Sequence, residues 1–247
     1  MRPAGRIPGQ MGPDLTIQDA VRRIVETPAP VLLLDTCAVL DVVRAPLRKL
    51  SPAVTAAREI VCMTRRSPAA LYTVTCQLVD TEWRDHHEPV AGEVNTDLDK
   101  LERSLAVYLE ICKSVEIEPP QLSLERVRGL PSVLLGLAEQ LMHSAVRLRT
   151  DQECQLRAHC RSIDGLRPAR KGGQSKDCDI IEHYLMFTSQ LRQSGVGLPC
   201  VFVSSNSADY CLDRNKVHPD LMQVFSQADL TFASELGSAR YKLGLTQ

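Results

Sequence analysis

The stretch "PVLLLDTCAVLDVVRAP" (30–46) runs four apolar residues, Val31 to Leu34, straight into an acid, Asp35. A carboxylate at the exit of a buried segment must be exposed, paired or metal-bound, because an unpaired buried charge is very costly. Asp209 in "VFVSSNSADY" (201–210) follows a second apolar run in the same way. Helix capping for Asp35 and a turn role for Asp209 are the purely structural alternatives. Two further acids stand out when the chain is wound at about 100° per residue. In "DCDIIEHYLMFTSQL" (177–191), Asp177 heads the side that carries Ile181, Tyr184, Thr188 and Leu191, whereas Asp179 points to water and Glu182 lies on the flank. In "CQLVDTEWRD" (76–85), Glu82 shares the side of Leu78, Asp80 points away from it, and Asp85 is a weaker candidate one turn on. A partly buried salt bridge to an arginine is the alternative for Glu82.

Carboxylates that converge repel one another unless a cation sits among them. Hard ions such as Mg²⁺ or Mn²⁺ take oxygen ligands, keep several waters and are held by few carboxylates together with substrate phosphates. One such ion lowers the pKa of a water to make a nucleophile, and a second steadies the leaving oxygen. Asp35, Glu82, Asp177 and Asp209 therefore form a candidate metal and catalytic set for phosphodiester hydrolysis. Arg44, Arg167, Arg170, Lys171 and Lys176 are the candidate phosphate contacts, with plain surface solubility as the alternative.

These acids need a frame. Val31 to Leu34, "LYTVT" (71–75), "PCVFVSS" (199–205) and "ADLTFAS" (228–234) read as strands, separated by amphipathic stretches. Strands alternating with helices imply an α/β fold, a central parallel sheet covered on both faces in three α/β/α layers. "DLTIQDAVRRIVE" is a first helix behind an Asp14 cap, and residues 1–14 are expected to be disordered. "CQLVDTEWRDHHE" and "NTDLDKLERSLAVYLEICKSV" read as two helices, the second marked by Leu98, Leu101, Leu105, Tyr108, Leu109 and Cys112. Residues 15–247 are expected to form one domain in which about 90–165 is a wholly helical insertion. In open parallel sheets ligands lie outside the carboxyl ends of the strands, which is where Asp35 and Asp209 fall.

Composition limits the rest. With 247 residues, 44% hydrophobic and 24% charged, the chain suits a soluble globular domain. Aromatics at 4% argue against a platform of stacked bases, and a net charge of -1 gives no global pull toward nucleic acid or membrane. Charge is local instead. Residues 80–118 hold eleven acids against four bases, and residues 126–171 nine bases against four acids. The basic stretch suits a phosphate backbone beside a cation site; the alternative is that it pairs with the acidic stretch. Nine scattered cysteines, no apolar leader and no membrane-length run suggest free thiols in a reducing cytoplasm.

Taken in order, these motifs resemble those of the PIN domain, the fold of many metal-dependent ribonucleases, including toxins of toxin–antitoxin pairs. "VLLLDTCAVLD" is similar to its opening strand with Asp35, "YTVTCQLVDTEW" to its second motif with Glu82, and "KDCDIIEHYL" to its third with Asp177. "VFVSSNSADY" resembles its fourth, which would make Ser204, Ser205, Asn206 and Asp209 supports of the site, with Thr36 beside Asp35. The resemblance spans roughly residues 30–240, with a longer interval between Glu82 and Asp177 than in the compact toxins, as in larger bacterial members. It implies an endoribonuclease that uses Mg²⁺ or Mn²⁺, takes single-stranded or structured RNA, is often a homodimer and, in its toxin branch, meets an antitoxin protein. The alternatives are a non-catalytic PIN-like module that binds RNA or protein, and a DNA-directed nuclease.

Other signals lead nowhere. A phosphoryl-transfer hydrolase with Asp35 as nucleophile wants a second acid two residues on, where Cys37 stands. "RKGGQSKD" lacks P-loop spacing. Cys154, His159 and Cys160 contain no paired C-x-x-C for zinc.

Overall fold

The computed structural model describes residues 13–118, 127–169, 175–213 and 216–245. The chain opens with α1 (Ile17–Glu26), β1 (Val31–Leu34), α2 (Thr36–Val43), α3 (Ala45–Arg48), α4 (Ser51–Thr64) and β2 (Tyr72–Cys76). A long α5 (Gln77–Ser114) precedes α6 (Leu130–Ser144), β3 (Val146–Leu148), α7 (Gln152–Ile163) and α8 (Ser175–Gln193). After β4 (Cys200–Val203) come α9 (Ser207–Tyr210), the hairpin β5 (Cys211–Asp213) and β6 (Lys216–Val217), then α10 (Pro219–Ala228), β7 (Thr231–Ala233) and α11 (Leu236–Lys242).

Five strands form one parallel sheet in the order β3-β2-β1-β4-β7. The middle strand is the oily run itself: all four residues of β1 are buried, as parallel strands covered on both faces require. α1, α7 and α10 pack against α8, while α2, α4, α6 and α11 pack among themselves, an arrangement compatible with three layers. The chain lays β2 and β3 on one side of β1 and then returns to place β4 on the other. The strand order thus reverses between β1 and β4. That is where an open α/β sheet leaves a crevice at its carboxyl edge.

Several expectations need correcting. Residues 90–165 are not wholly helical, because β3 lies among them and completes one edge of the sheet. Leu134, Leu141 and Met142 of α6 are also buried. The two helices expected between 76 and 115 are one, with Pro89 inside it. Its apolar spacing is helical, yet Leu101 and Tyr108 are 53% and 68% exposed, so the second half of α5 lacks the cover given to Val90 and Val94. The hairpin β5–β6 and helix α10 carry no counterpart in the sequence reading. Residues 1–12 lie outside those described; Asp14 is held by Gln77 and Arg147.

The nine cysteines are all free thiols. Among the described residues no helix is long and apolar enough to cross a membrane.

Candidate active site

The register of the sheet brings the first and fourth motifs together. Leu34 is paired with Val203, and the Asp35 N–H donates to the Val203 carbonyl at 3.1 Å. Asp35 and Ser204 therefore emerge side by side at the carboxyl edge, on the same face of the sheet. The Ser204 hydroxyl donates to Asp35 Oδ2 at 2.5 Å. The other carboxylate oxygen of Asp35 accepts from the Thr36 N–H at 2.8 Å, so the residue also caps α2. Capping and candidate metal binding are thus two uses of one side chain.

The second motif joins through Thr36, whose hydroxyl donates to Glu82 Oε2 at 2.8 Å. The third and fourth meet at Asn206. Its Nδ2 donates to Asp209 Oδ2 at 2.6 Å and lies 3.5 Å from Asp177 Oδ2, while its N–H donates to the Ser204 hydroxyl. A continuous line of polar contacts runs from Glu82 through Thr36, Asp35 and Ser204 to Asn206, Asp209 and Asp177. Four stretches of chain contribute to it, and the Ser204–Asp35 bond alone joins residues 169 apart.

Electrostatics agree with the geometry. Burial pushes the Asp177 carboxyl up, and the negative fields of Asp35, Asp209 and Glu82 push it further, to about 7, with Lys176 opposing them. Asp35 is also raised, chiefly by its burial and in part by Glu82, against the donors Ser204, Cys37 and Thr36. Asp177 thus feels three neighbouring carboxylates and Asp35 feels one, a crowding of negative charge that a bound cation would relieve. The donors are oxygens, the ligand type that suits Mg²⁺ or Mn²⁺. Among the described residues no three acid, histidine or cysteine side chains are drawn together as a preformed ion cage. The carboxylates are linked in pairs.

Some sequence readings fail here. Asp80 does not face water: it is 4% exposed, bonded to Arg84 at 2.5 Å and Arg147 at 3.0 Å. Arg147 comes from β3, so the side of α5 assumed to be wet is covered. Glu82 is only half-buried and takes Thr36 rather than an arginine. Asp85 is exposed. Asp179 is not open to water either, standing 3.3 Å from the buried His183. Glu182 is no flank residue; it is buried against Arg161 at 2.6 Å.

The basic stretch is largely occupied. Arg128 pairs with Glu102, Arg147 with Asp14 and Asp80, Arg157 with Glu153 and Arg161 with Glu182. Arg167 does reach the site: its Nη1 donates to the Ala208 carbonyl at 3.2 Å and lies 3.9 Å from Asp209. Lys176 is exposed beside Asp177, and Arg44 lies 3.5 Å from Glu93. Arg170 and Lys171 fall outside the described residues.

Three participants escaped the sequence reading. The Cys37 thiol donates to Asp35 Oδ2 at 3.0 Å and accepts the Ser205 N–H at 3.1 Å, and its burial pushes its pKa up, so it acts as a neutral spacer. Buried Asp41 pairs with Arg48, and burial pushes its carboxyl up against the opposing influence of Ser205 and of Arg48. Tyr184 donates to the Leu34 carbonyl at 2.6 Å, fixing the residue before Asp35. Only its position on the Asp177 side of α8 could have signalled it. Tyr184→Phe is expected to cost roughly 1–2 kcal/mol in urea unfolding, because a buried carbonyl loses its donor with little change in shape.

No protein-family model matches the chain, and no curated protein or solved structure is significantly similar to it.

Proposed function

We propose that the chain is a PIN-like endoribonuclease that hydrolyses RNA phosphodiester bonds with Mg²⁺ or Mn²⁺. The observation that carries this reading is the line of polar contacts that links Asp35, Glu82, Asp177 and Asp209 at the strand-order reversal, where the other three raise the Asp177 carboxyl. Those four side chains would hold the ion. A divalent ion supplies an activated water and charge for the leaving oxygen.

The remaining work belongs to the chain itself. Ser204, Thr36 and Asn206 donate to the carboxylates and fix their orientation, as outer partners of metal ligands do. Asp177 can carry a proton near neutral pH and release it when the site fills. Exposed Lys176 is placed to meet a backbone phosphate. In the reaction a water oxygen bonds to phosphorus, one ester P–O bond breaks, and the departing alkoxide takes up a proton.

Matched RNA and DNA oligonucleotides incubated with Mn²⁺, with and without chelator, test the proposal. Chelator-sensitive cutting of RNA is expected; cutting of DNA alone would move the substrate class, and no cutting of either would overturn the reading. A second reading, a PIN-like module without catalysis, is favoured by one feature: the acids already have hydroxyl and amide partners. Calorimetric titration with Mn²⁺ separates the two, since such a module gives no carboxylate-dependent heat.

A further inference from the structure

Beside the short helix that carries Asp209 lies a cavity of about 260 Å³ lined by Arg167, Ser207, Ala208, Cys211, Leu212, Asp213 and His218. Ser207 and Ala208 belong to the same short helix as Asp209, and Leu212 to the hairpin that follows it. The candidate active site uses none of these residues except Arg167. We propose that this cavity receives one unstacked nucleobase of a single-stranded RNA, next to the phosphodiester that is cut. The inference rests on the nuclease reading and adds to it a specificity pocket.

Size, chemistry and charge support a base as the occupant. Liquid water takes about 30 Å³ per molecule, so the space equals roughly nine waters, close to the volume of one base with part of its hydration. Single-stranded RNA is read by splaying bases out, stacking them on aromatic or guanidinium planes and bonding their edges. The Arg167 guanidinium is tied by its Nη1 to the Ala208 carbonyl, and the Arg167 N–H lies 3.4 Å from Asp220 Oδ2. The first contact holds the guanidinium and the second, through the backbone, its stem before any ligand arrives, which lowers the cost of binding. Leu212, 60% exposed, gives an apolar wall. Ser207 and His218 add hydrogen-bonding groups, and the His218 ring is itself held where its Nδ1 accepts the Asp220 N–H at 3.3 Å.

A backbone phosphate is the poorer occupant. The positive charge of Arg167 is already offset by Asp209 at 3.9 Å, and Asp213 lines the same cavity. A second anion would meet these carboxylates, whereas a neutral base can bond Asp213, Ser207 and the His218 ring through its edge.

The test is cleavage, with Mn²⁺, of single-stranded RNAs randomised at every position, reading the ends of the products by sequencing. Wild type is expected to show one position at a fixed distance from the cut where one base is enriched at least threefold. Ala208→Trp fills the cavity from an exposed position and Leu212→Ala removes its wall; both should bring that ratio close to one. The readout is a ratio among bases, so it does not depend on the overall rate, and circular dichroism melts confirm that each variant is folded. Chelator-sensitive cutting with no enriched position, or a preference that both variants retain, overturns the pocket and leaves the nuclease standing. Absence of chelator-sensitive cutting by wild type overturns the nuclease reading, and this inference falls with it.

Discussion

Asp177→Asn protein is expected to lose Mn²⁺-dependent RNA cleavage by on the order of 100-fold or more, yet to be more stable than wild type in the absence of metal. The loss follows from removing one of the few charges that could hold the ion, whose charge stabilisation is worth several kcal/mol in such reactions. The gain follows from the repulsion that raises this carboxyl. Unfolded, it titrates near its ordinary 3.8; folded, near 7. Between those values the folded protein holds the extra proton, so wild-type stability falls as pH rises from about 4 to about 7 and stays low above that. Water screens a side chain that is not fully buried, so the gain at pH 8 should be about 2 kcal/mol, roughly half of what the whole displacement would amount to. Asparagine keeps the acceptor for Asn206, which isolates charge from shape.

Asp35→Asn should match the loss of activity: its one oxygen can still accept the Thr36 N–H, while its NH2 meets the Ser204 hydroxyl and the Cys37 thiol, which can turn to accept. Two pH-dependent measurements complete the test. Wild-type Mn²⁺ affinity should rise about tenfold per pH unit below 7 and level off above, since binding must displace the Asp177 proton. Urea midpoints at pH 5 and pH 8 should differ for wild type and much less for Asp177→Asn. If both asparagine variants cut RNA at the wild-type rate, the metal assignment is wrong.

What could be read in advance, and what could not, has a physical basis. The acid after Leu34 was legible because four apolar residues in a row demand a strand covered on both faces, and a parallel strand has a ligand-binding end. Asp177 could be singled out because Ile181, Tyr184 and Leu191 mark one buried side of α8, although burial of Ile180, Glu182 and His183 extends well beyond it. Asp80 was misread for the complementary reason. A helical wheel assumes one covered side, but α5 starts directly after β2, beside the edge strand β3, and Arg147 of β3 pairs with an acid on the other side. β3 itself is three residues long and follows a helix directly. Its strand character comes from pairing with Val74 to Cys76, which no local pattern announces. The leucines of residues 98–109 gave the helix but not its surroundings, because apolar spacing reports a face and says nothing of what lies against it. The arginines of residues 126–171 show the same limit: composition counted charges, and the fold spent most of the described ones on neighbouring acids.

The largest purely structural effect is expected at one of those arginines. Arg161 and Glu182, 9% and 8% exposed, bond at 2.6 Å between α7 and α8. Arg161→Met would leave Glu182 buried without its partner, a change that costs about 3–5 kcal/mol for a broken buried pair. In urea this should appear as a midpoint lowered by roughly 1–2 M at unchanged slope. Replacing both residues, as Arg161→Met with Glu182→Leu, should recover most of the loss, because the attraction in such a pair barely exceeds the cost of drying two charges. A double variant no more stable than the single one would mean that the arginine acts through its other contact. That contact is Nη1 to the Arg167 carbonyl at 2.9 Å. Through it the pair anchors the chain segment that carries Arg167 to Asp209. The recovered double variant should therefore be folded but altered in which RNA position it selects, linking a buried ion pair to the reading of substrate without either residue touching it.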